Sequence, residues 1–284
     1  MSYSQKWHHP KKLLNRQNPM NPNNLTRRAF VTHTTTMVAG TVVSAKFGSL
    51  NAQTASDQGP YQAMGTRAGE VTDTTAIVWT RLTAAPKRVA GTGLFPKGKR
   101  NGAKQQKPLS NDWVDQLEGA CPGAPGRVQL RYGTCDDLSD ATVTKAISAV
   151  AENDFICEFK LSGLKPGTTY FYKSEIPGTQ KEADFRGKFE TAPAVSALSN
   201  FRFCVMTCQD YSDRGHLDGH EIYPAMAACK PQFTCLTGDL VYYDKGDEIA
   251  ESERLARYHW ERMFSLPRLV DFNSNHSTYW LQDD

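Results

Sequence analysis

Between residues 65 and 191 the chain alternates short apolar runs with turn residues. Short runs rich in β-branched and aromatic residues predict strands. Six runs fit this description, and no clear helical pattern lies among them, so an antiparallel β sandwich is expected. The predicted strands are Arg67–Val71, Thr75–Leu82, Arg127–Gly133, Phe155–Leu161, Thr169–Glu175 and Phe185–Thr191.

After residue 200 the pattern changes to that of a βαβ unit. Phe201–Met206 and Phe233–Leu236 are apolar enough to be buried strands, and Ile222–Cys229 between them has apolar residues at helical spacing. Two strands joined by a crossover helix are expected to be parallel. In such sheets functional residues lie beyond the carboxyl ends of the strands.

Two further elements complete the prediction. A helix is expected over Ser252–Phe264, where Ser252 can cap the amino terminus and Pro267 marks the end. A strand is expected over Thr278–Leu281. His259, on the helix, is interpreted as a surface or packing histidine and not as a ligand.

The turns after the two parallel strands carry residue types that bind transition metals. The first reads TCQD at residues 207–210 and the second GDLVY at residues 238–242. Cys208 and Asp239 offer anionic ligands, and Gly238 permits a sharp turn. Tyr242 follows Asp239 by three residues, so a tight backbone brings its phenol to the same side. Since a phenol ordinarily has a pKa of about 10, a phenolate ligand calls for a strong Lewis acid such as a ferric ion.

Each of these residues also has a simpler interpretation. Cys208 is compatible with a small buried apolar residue, the usual state of a free cysteine. Gly238 and Asp239 are compatible with an ordinary turn, and Tyr242 with a packing aromatic. Each residue alone favours the simpler interpretation, whereas all of them together, at the ends of adjacent strands, favour a site.

The stretch 201–244 resembles the start of the catalytic domain of the PhoD-like alkaline phosphatases and phosphodiesterases, which are calcineurin-like metallophosphoesterases. Their first block is Ser-Cys-Gln-Asp and their second Gly-Asp-x-x-Tyr, and this chain departs only in carrying Thr207. The family also places a fibronectin type III-like module ahead of its catalytic domain. The segment GLKPGTTY at residues 163–170 resembles a turn of such modules.

The resemblance implies hydrolysis of phosphate esters at a site that holds Fe³⁺ and Ca²⁺. It implies that Cys208, Asp239 and Tyr242 bind the iron, with Asp239 bridging to a second cation, and that Asp210 is a further ligand. Asp283 and Asp284 match the start of an Asp-Asp-His block of the family. The implied role of Asp284 is to bind the second cation.

The domain expectation follows from these patterns. Residues 60–192 are expected to form the sandwich, with a basic surface loop inserted at 86–125 and a linker at 191–194. Residues 200–284 are expected to form the first part of an α/β-type metallophosphoesterase domain. The expected histidine of the third block and all that follows it are missing from the sequence. We therefore expect a domain that is truncated at its C-terminus, with impaired activity and an open sheet edge.

The N-terminal residues 1–52 predict an export signal. Residues 1–24 are polar and rich in Asn, Lys and Pro, and are expected to be disordered. Arg27 and Arg28 then precede a weakly apolar run, which is the pattern of a twin-arginine signal peptide. The run is too short and too polar for a stable membrane span. Export machinery of the twin-arginine type is thus an expected partner, and the location is periplasmic or secreted.

The composition of the chain bears on its class of partner and on the pairing of its cysteines. A formal net charge of +3 is too small to predict a nucleic-acid partner. Seven cysteines leave at least one unpaired in an exported chain. Cys204, Cys229 and Cys235 lie in apolar contexts and are expected to be buried thiols. Cys121, Cys135 and Cys157 could contribute a disulfide, but no spacing specifies one.

Two other classes of function remain open at this point. One is a catalytically inactive, exported binding or surface protein that uses the sandwich. The other is redox or sulfur chemistry at Cys208.

Overall fold

A computed structural model describes residues 59–91, 111–178, 185–244 and 249–281. The predicted export signal, residues 92–110 of the insertion, and both Asp283 and Asp284 lie outside these ranges. Within the described ranges no helix has the length and apolar character needed to cross a membrane.

In chain order the described residues form these elements: β1 (Thr66–Gly69), β2 (Thr75–Arg81), α1 (Asn111–Val114), β3 (Gly126–Gly133), β4 (Thr142–Val143), β5 (Ile147–Ala149), β6 (Ile156–Ser162), β7 (Thr169–Glu175), β8 (Phe185–Glu190), β9 (Phe203–Met206), α2 (Ile222–Ala228), β10 (Phe233–Leu236), α3 (Glu253–Phe264), α4 (Pro267–Asn275) and β11 (Ser277–Trp280).

The strands form two sheets. One has the order β6-β2-β1-β11-β10-β9, and the other has the order β4-β3-β7-β8 with β5 also paired to β3. Strands β9, β10 and β11 are parallel, whereas β6, β2 and β1 are antiparallel. Gly69 of β1 pairs in parallel with Thr278 of β11, so the predicted sandwich and the predicted βαβ unit share one continuous sheet.

Two apolar cores hold these layers together. The first lies between the two sheets and includes Val78, Leu130, Phe159, Tyr172 and Phe189, as expected for a β sandwich. The second lies where α2, α3 and α4 cover one face of the parallel strands, and it includes Leu236, Met263, Leu266, Leu269 and Phe272.

The other face of the parallel strands is open among the described residues. Phe203 stacks on Phe233, which meets the edge of the Tyr279 ring. Strand β9 lies at the edge of the described sheet, and Phe203 and Val205 are 51% and 58% exposed. Such an edge, with apolar side chains facing water, is prone to association.

The structure differs from the predicted elements in three places. The predicted strands and the βαβ unit are present with ends shifted by up to two residues, but β4 and β5 were not predicted because they are very short. Helix α4 was also missed. Pro267 was interpreted as a terminator, yet it occupies the first turn of a new helix, where its missing N–H costs nothing.

The insertion is not wholly a surface loop. Val114, Leu117 and Ala120 are buried against Leu255 and Tyr258, so residues 111–120 pack on α3. This stretch contains few apolar residues, and their partners lie more than 100 positions later in the chain.

The expectation of buried thiols was wrong for Cys229, which is exposed, and too strong for Cys204 and Cys235, which are half-buried. Cys204 and Cys235 lie in the short strands β9 and β10, and Cys229 follows the last residue of α2. All seven cysteines are free thiols.

A buried carboxylate connects the parts of the fold. Glu261 of α3, with a side chain 3% exposed, contacts Arg81 of β2 at 3.1 Å and Arg254 of α3 at 3.0 Å. Its second oxygen accepts a hydrogen bond from the backbone N–H of Cys121 in the insertion at 2.9 Å. Asp154 completes the group by binding Arg81 at 3.0 Å.

Replacement of Glu261 by Ala is expected to lower the free energy of unfolding by about 3 kcal/mol, because it leaves two buried guanidinium groups short of a partner. Urea unfolding measures this change. The matched control is Glu253→Ala on the same helix. Glu253 is exposed, and its pair with Arg257 is expected to contribute about 0.5 kcal/mol. Equal losses for the two variants would show that the buried network does not hold the fold.

Candidate metal centre

The turns after β9 and β10 are held side by side by backbone hydrogen bonds. The N–H of Thr237 donates to the carbonyl of Met206 at 2.9 Å, and the N–H of Gln209 donates to the carbonyl of Asp239 at 2.8 Å. The Thr207 hydroxyl donates to the carbonyl of Gly238 at 3.0 Å. The parallel register of the two strands therefore continues into the turns and brings Cys208 opposite Asp239.

The backbone of both turns is unusual at the predicted ligands. Cys208 has a φ of 59° and Asp239 a φ of 51°, both in the left-handed region. A residue with a Cβ pays for this conformation, at a cost of about 1 kcal/mol or more, and such residues concentrate at functional sites. Gly238, with a φ of 114°, adopts its conformation without that cost.

Three side chains meet at one oxygen atom. The Cys208 thiol donates to Oδ2 of Asp239 at 3.3 Å, and the Tyr242 hydroxyl donates to the same oxygen at 2.8 Å. Cys208 is exposed, while Asp239 and Tyr242 are half-buried. The site therefore opens to solvent on the side of the thiol.

The electrostatics favour a protonated phenol. Burial raises the pKa of Tyr242 above its ordinary value, and the hydrogen bonds and negative charges of Asp239 and Cys208 raise it further. A phenolate at this position would face a carboxylate and a thiolate. Only a cation at the meeting point would offset that repulsion.

The donor set fits a highly charged transition metal. Loss of the thiol and phenol protons would leave three anionic ligand atoms around one point, which suits a transition-metal cation of high charge. Within the described ranges no group of three or more His, Cys, Asp or Glu side chains could hold a metal. The candidate site contains two residues of these types, Cys208 and Asp239. Its third member is Tyr242, which is not one of the four types.

The carboxylate of Asp210 takes part in a different set of hydrogen bonds from those that join Cys208, Asp239 and Tyr242. Its carboxylate accepts hydrogen bonds from the Ser212 N–H at 2.9 Å and the Ser212 hydroxyl at 2.6 Å, which caps the short turn Tyr211–Asp213. Nε2 of His220 lies 2.9 Å from the Asp210 carbonyl oxygen. The turn thus fixes Asp210 beside the site. Asp284, the remaining predicted ligand, lies outside the described residues.

Supporting residues were not predicted from the sequence. Gln209 is 2% exposed and accepts a hydrogen bond from the Tyr223 hydroxyl of α2, which anchors the first turn to the helix layer. Only its place between Cys208 and Asp210 hinted at this role. His259 is a packing histidine, as predicted, since it is buried edge-on to Tyr243 and Tyr258.

A cavity of about 650 Å³ lies elsewhere, between β8, the α2–β10 loop and α4. None of Cys208, Asp210, Asp239 and Tyr242 lines it. The chemistry of the side chains, and not the size of a cavity, therefore identifies the candidate site.

The chain was compared with known proteins. It matches the family model of the PhoD-like phosphatase N-terminal domain over residues 48–193, just over half of the sequence. It is similar to the solved structure of PhoD with 18% identity and a TM-score of 0.54, over 78% of this chain and 38% of that one. The chain thus spans well under half of the PhoD structure, and at this identity the match shows the fold alone.

Two weaker structural matches each cover less than half of this chain. The sensor domain of the anti-sigma factor RsgI4 of Pseudobacteroides cellulosolvens aligns with 16% identity and a TM-score of 0.27, over 45% of this chain and 90% of that one. A fibronectin type III domain of the human KIAA0970 protein aligns with 14% identity and a TM-score of 0.20, over 48% and 77%. No curated protein matches the sequence significantly.

In metal-free protein, Asp239→Asn is expected to lower the pKa of the Tyr242 phenol towards about 10, because the variant removes a negative charge and a carboxylate acceptor. The folded-state pKa is raised, so the stabilisation from the protonated phenol is present below about pH 10 and is lost as pH rises through the folded value. NMR titration of ring-labelled tyrosine measures the shift. Asp218→Asn, at an exposed carboxylate, is the control, and an unchanged Tyr242 titration in Asp239→Asn would contradict the described contact.

Proposed function

The chain belongs to the PhoD-like phosphatase family, and from this premise we propose that it carries the iron-binding part of a centre for hydrolysis of phosphate esters. Family membership supports the phosphoesterase class and a dependence on metal ions. The choice of Fe³⁺ and Ca²⁺, the ligands and the substrate are the finer parts of the proposal.

One observation carries the proposal. A thiol and a phenol both donate to the same carboxylate oxygen, at the carboxyl ends of two adjacent parallel strands. Two of the three residues adopt left-handed backbone, a strain that packing alone does not require. Hydrogen bonds that only stabilised the fold would not require both a thiol and a phenol to donate to the same carboxylate oxygen.

The proposed roles of the residues are as follows. Cys208, Asp239 and Tyr242 would hold Fe³⁺, and Asp239 would bridge to Ca²⁺, with Asp284 on the calcium and Asp210 as an additional ligand. When bound, the ions would polarise the phosphoryl group and lower the pKa of a water molecule. Because burial and the neighbouring acidic groups raise the pKa of Tyr242, its ionisation near neutral pH would call for a strong Lewis acid, and Fe³⁺ fits that requirement.

The domain assignment is part of the same proposal. The family model supports a sandwich domain at residues 60–192, of the fibronectin type III-like kind, and the fold match to PhoD supports an α/β-type metallophosphoesterase domain from residue 200. The six-stranded sheet joins the two, so the sandwich also acts as a support for the site.

Sulfur chemistry at Cys208 is less well supported. A reactive cysteine is favoured by electropositive surroundings, which stabilise the thiolate. The groups that Cys208 contacts include the Asp239 carboxylate and the Thr207 hydroxyl, and neither is electropositive. A carboxylate next to the thiol is better suited to a cysteine that binds a cation than to a reactive cysteine.

We also propose that the chain is exported by the twin-arginine route to the periplasm or beyond, on the pattern around Arg27 and Arg28. Replacement of both residues by Lys is expected to leave the protein inside the producing bacterium. Cell fractionation tests this, and unchanged export of the double variant would refute the route.

The iron-loaded chain is expected to show a purple phenolate-to-iron absorption, and Tyr242→Phe is expected to abolish it. Tyr243→Phe is the matched control, since the Tyr243 hydroxyl instead accepts a hydrogen bond from Trp260. Optical spectroscopy after stoichiometric iron loading makes the comparison. A colour that survives Tyr242→Phe, or that Tyr243→Phe removes, would contradict the assignment.

Any hydrolysis of p-nitrophenyl phosphate or bis(p-nitrophenyl) phosphate by the loaded chain is expected to fall by about 100-fold or more in Asp239→Asn, because several kcal/mol of metal-derived stabilisation are lost. The Asp218→Asn variant serves as the control. Equal rates in the two variants would exclude Asp239 from the reaction.

A further inference from the structure

Immediately after Asp210, three arginines surround one phenol ring. The guanidinium carbons of Arg214, Arg262 and Arg88 lie 4.2, 4.8 and 5.6 Å from the ring centroid of Tyr211. Glu118 adds a carboxylate, which accepts hydrogen bonds from the Tyr211 hydroxyl and from Nη2 of Arg214, each at 3.0 Å. We refer to Arg88, Glu118, Tyr211, Arg214 and Arg262 as the arginine cluster.

The arginine cluster is assembled from three distant parts of the chain. Arg88 and Glu118 come from the insertion, Arg214 from the turn after β9, and Arg262 from α3. Arg88 donates to the Tyr211 hydroxyl and, at 3.0 Å, to the carbonyl of Arg262. These contacts hold Arg88 and Glu118 of the insertion against the turn that begins at Asp210, next to the candidate metal centre. This packing was not predicted from the sequence.

Positive charge is in excess within the arginine cluster. The cluster contains three guanidinium groups and one carboxylate, Glu118, which pairs with Arg214 at 3.0 Å. Like charges that are held close together repel one another. Nε of Arg214 is buried and has no hydrogen-bond partner in the described structure. A buried donor without an acceptor costs about 1–3 kcal/mol, which a bound oxyanion would recover.

The cluster is also within reach of solvent. The side chains of Arg214 and Glu118 are 17% and 33% exposed, and Arg88 is half-buried. Arginine presents planar pairs of N–H groups that match the oxygens of a phosphate. The surface beside the predicted site therefore offers several such donors to an anion.

We propose that the arginine cluster binds an anionic group of the substrate that is not itself hydrolysed. The substrate class would then be phosphate esters that carry a second phosphate or similar oxyanion near the scissile one. This rests on the proposed function for its meaning as a substrate subsite, while the binding of an anion can be tested separately.

The test uses inorganic pyrophosphate and the full chain, freed of metal by chelation and then dialysed, with isothermal titration calorimetry. Arg214→Gln is expected to weaken binding by about 10-fold, the effect of removing one charge-assisted contact of roughly 1.4 kcal/mol. Glu118→Gln, which removes the competing negative charge, is expected to tighten binding. Arg127→Gln, at an exposed arginine on β3, is the control and is expected to leave binding unchanged.

Opposite changes in pyrophosphate affinity in Arg214→Gln and Glu118→Gln would distinguish an effect on anion binding from an effect on folding. A purely structural cluster would give no pyrophosphate binding in the metal-free chain, or equal binding in Arg214→Gln and Arg127→Gln, and either result overturns the proposal. Should Arg214→Gln fail to fold, Glu118→Gln decides, since unchanged or weaker binding there contradicts the charge argument. Pyrophosphate binding by a chain that never forms the purple iron centre would overturn the role as a substrate subsite.

Discussion

The Glu261 carboxylate is the constraint on which the arrangement depends. A buried charge is tolerated only when it is paired and hydrogen-bonded, and Glu261 meets this condition with groups from β2, α3 and the insertion. Helix α3 is thereby fixed against the sandwich. The next residue, Arg262, packs on Tyr211, and Tyr211 belongs to the turn that Asp210 caps. The position of the turn beside the candidate metal centre is thus tied to an ion pair in the sandwich.

The continuous sheet has a similar consequence. The Gly69–Thr278 pair joins an antiparallel sandwich sheet to three parallel strands, so the sandwich is part of the framework that supports the site. A Cβ on Gly69 would lie 2.9 Å from the carbonyl oxygen of Thr278, so a larger residue there would push strands β1 and β11 apart within this sheet. The strands that carry Cys208 and Asp239 are in turn covered by helices on one face only in the described part of the chain.

Much of this could be predicted from local sequence. The periodicity of the strands and the GDLVY turn at residues 238–242 led to the sandwich, to the βαβ unit and to the meeting of Cys208 with Asp239. The failures have physical reasons. Helix α4 was missed because Pro267 suits both the end of one helix and the first turn of the next, and the buried part of the insertion was missed because its partners are distant in sequence.

The left-handed backbone of Cys208 and Asp239 could not be predicted either, since residues other than glycine adopt it uncommonly. The arginine cluster likewise depends on tertiary structure, because Arg88 and Arg262 are 174 residues apart. Sequence patterns therefore located the residues that meet at the candidate metal centre, but not the strain at their backbone or the positions of the arginines next to them.

We have proposed that Cys208, Asp239 and Tyr242 bind a single iron ion. X-ray absorption spectroscopy at the iron edge tests this proposal most directly, on the iron-loaded chain and on Cys208→Ser. One sulfur ligand to iron is expected in the original chain, and only oxygen or nitrogen ligands in the variant. Iron without a sulfur ligand in the original chain, or a sulfur ligand that persists in Cys208→Ser, would contradict it.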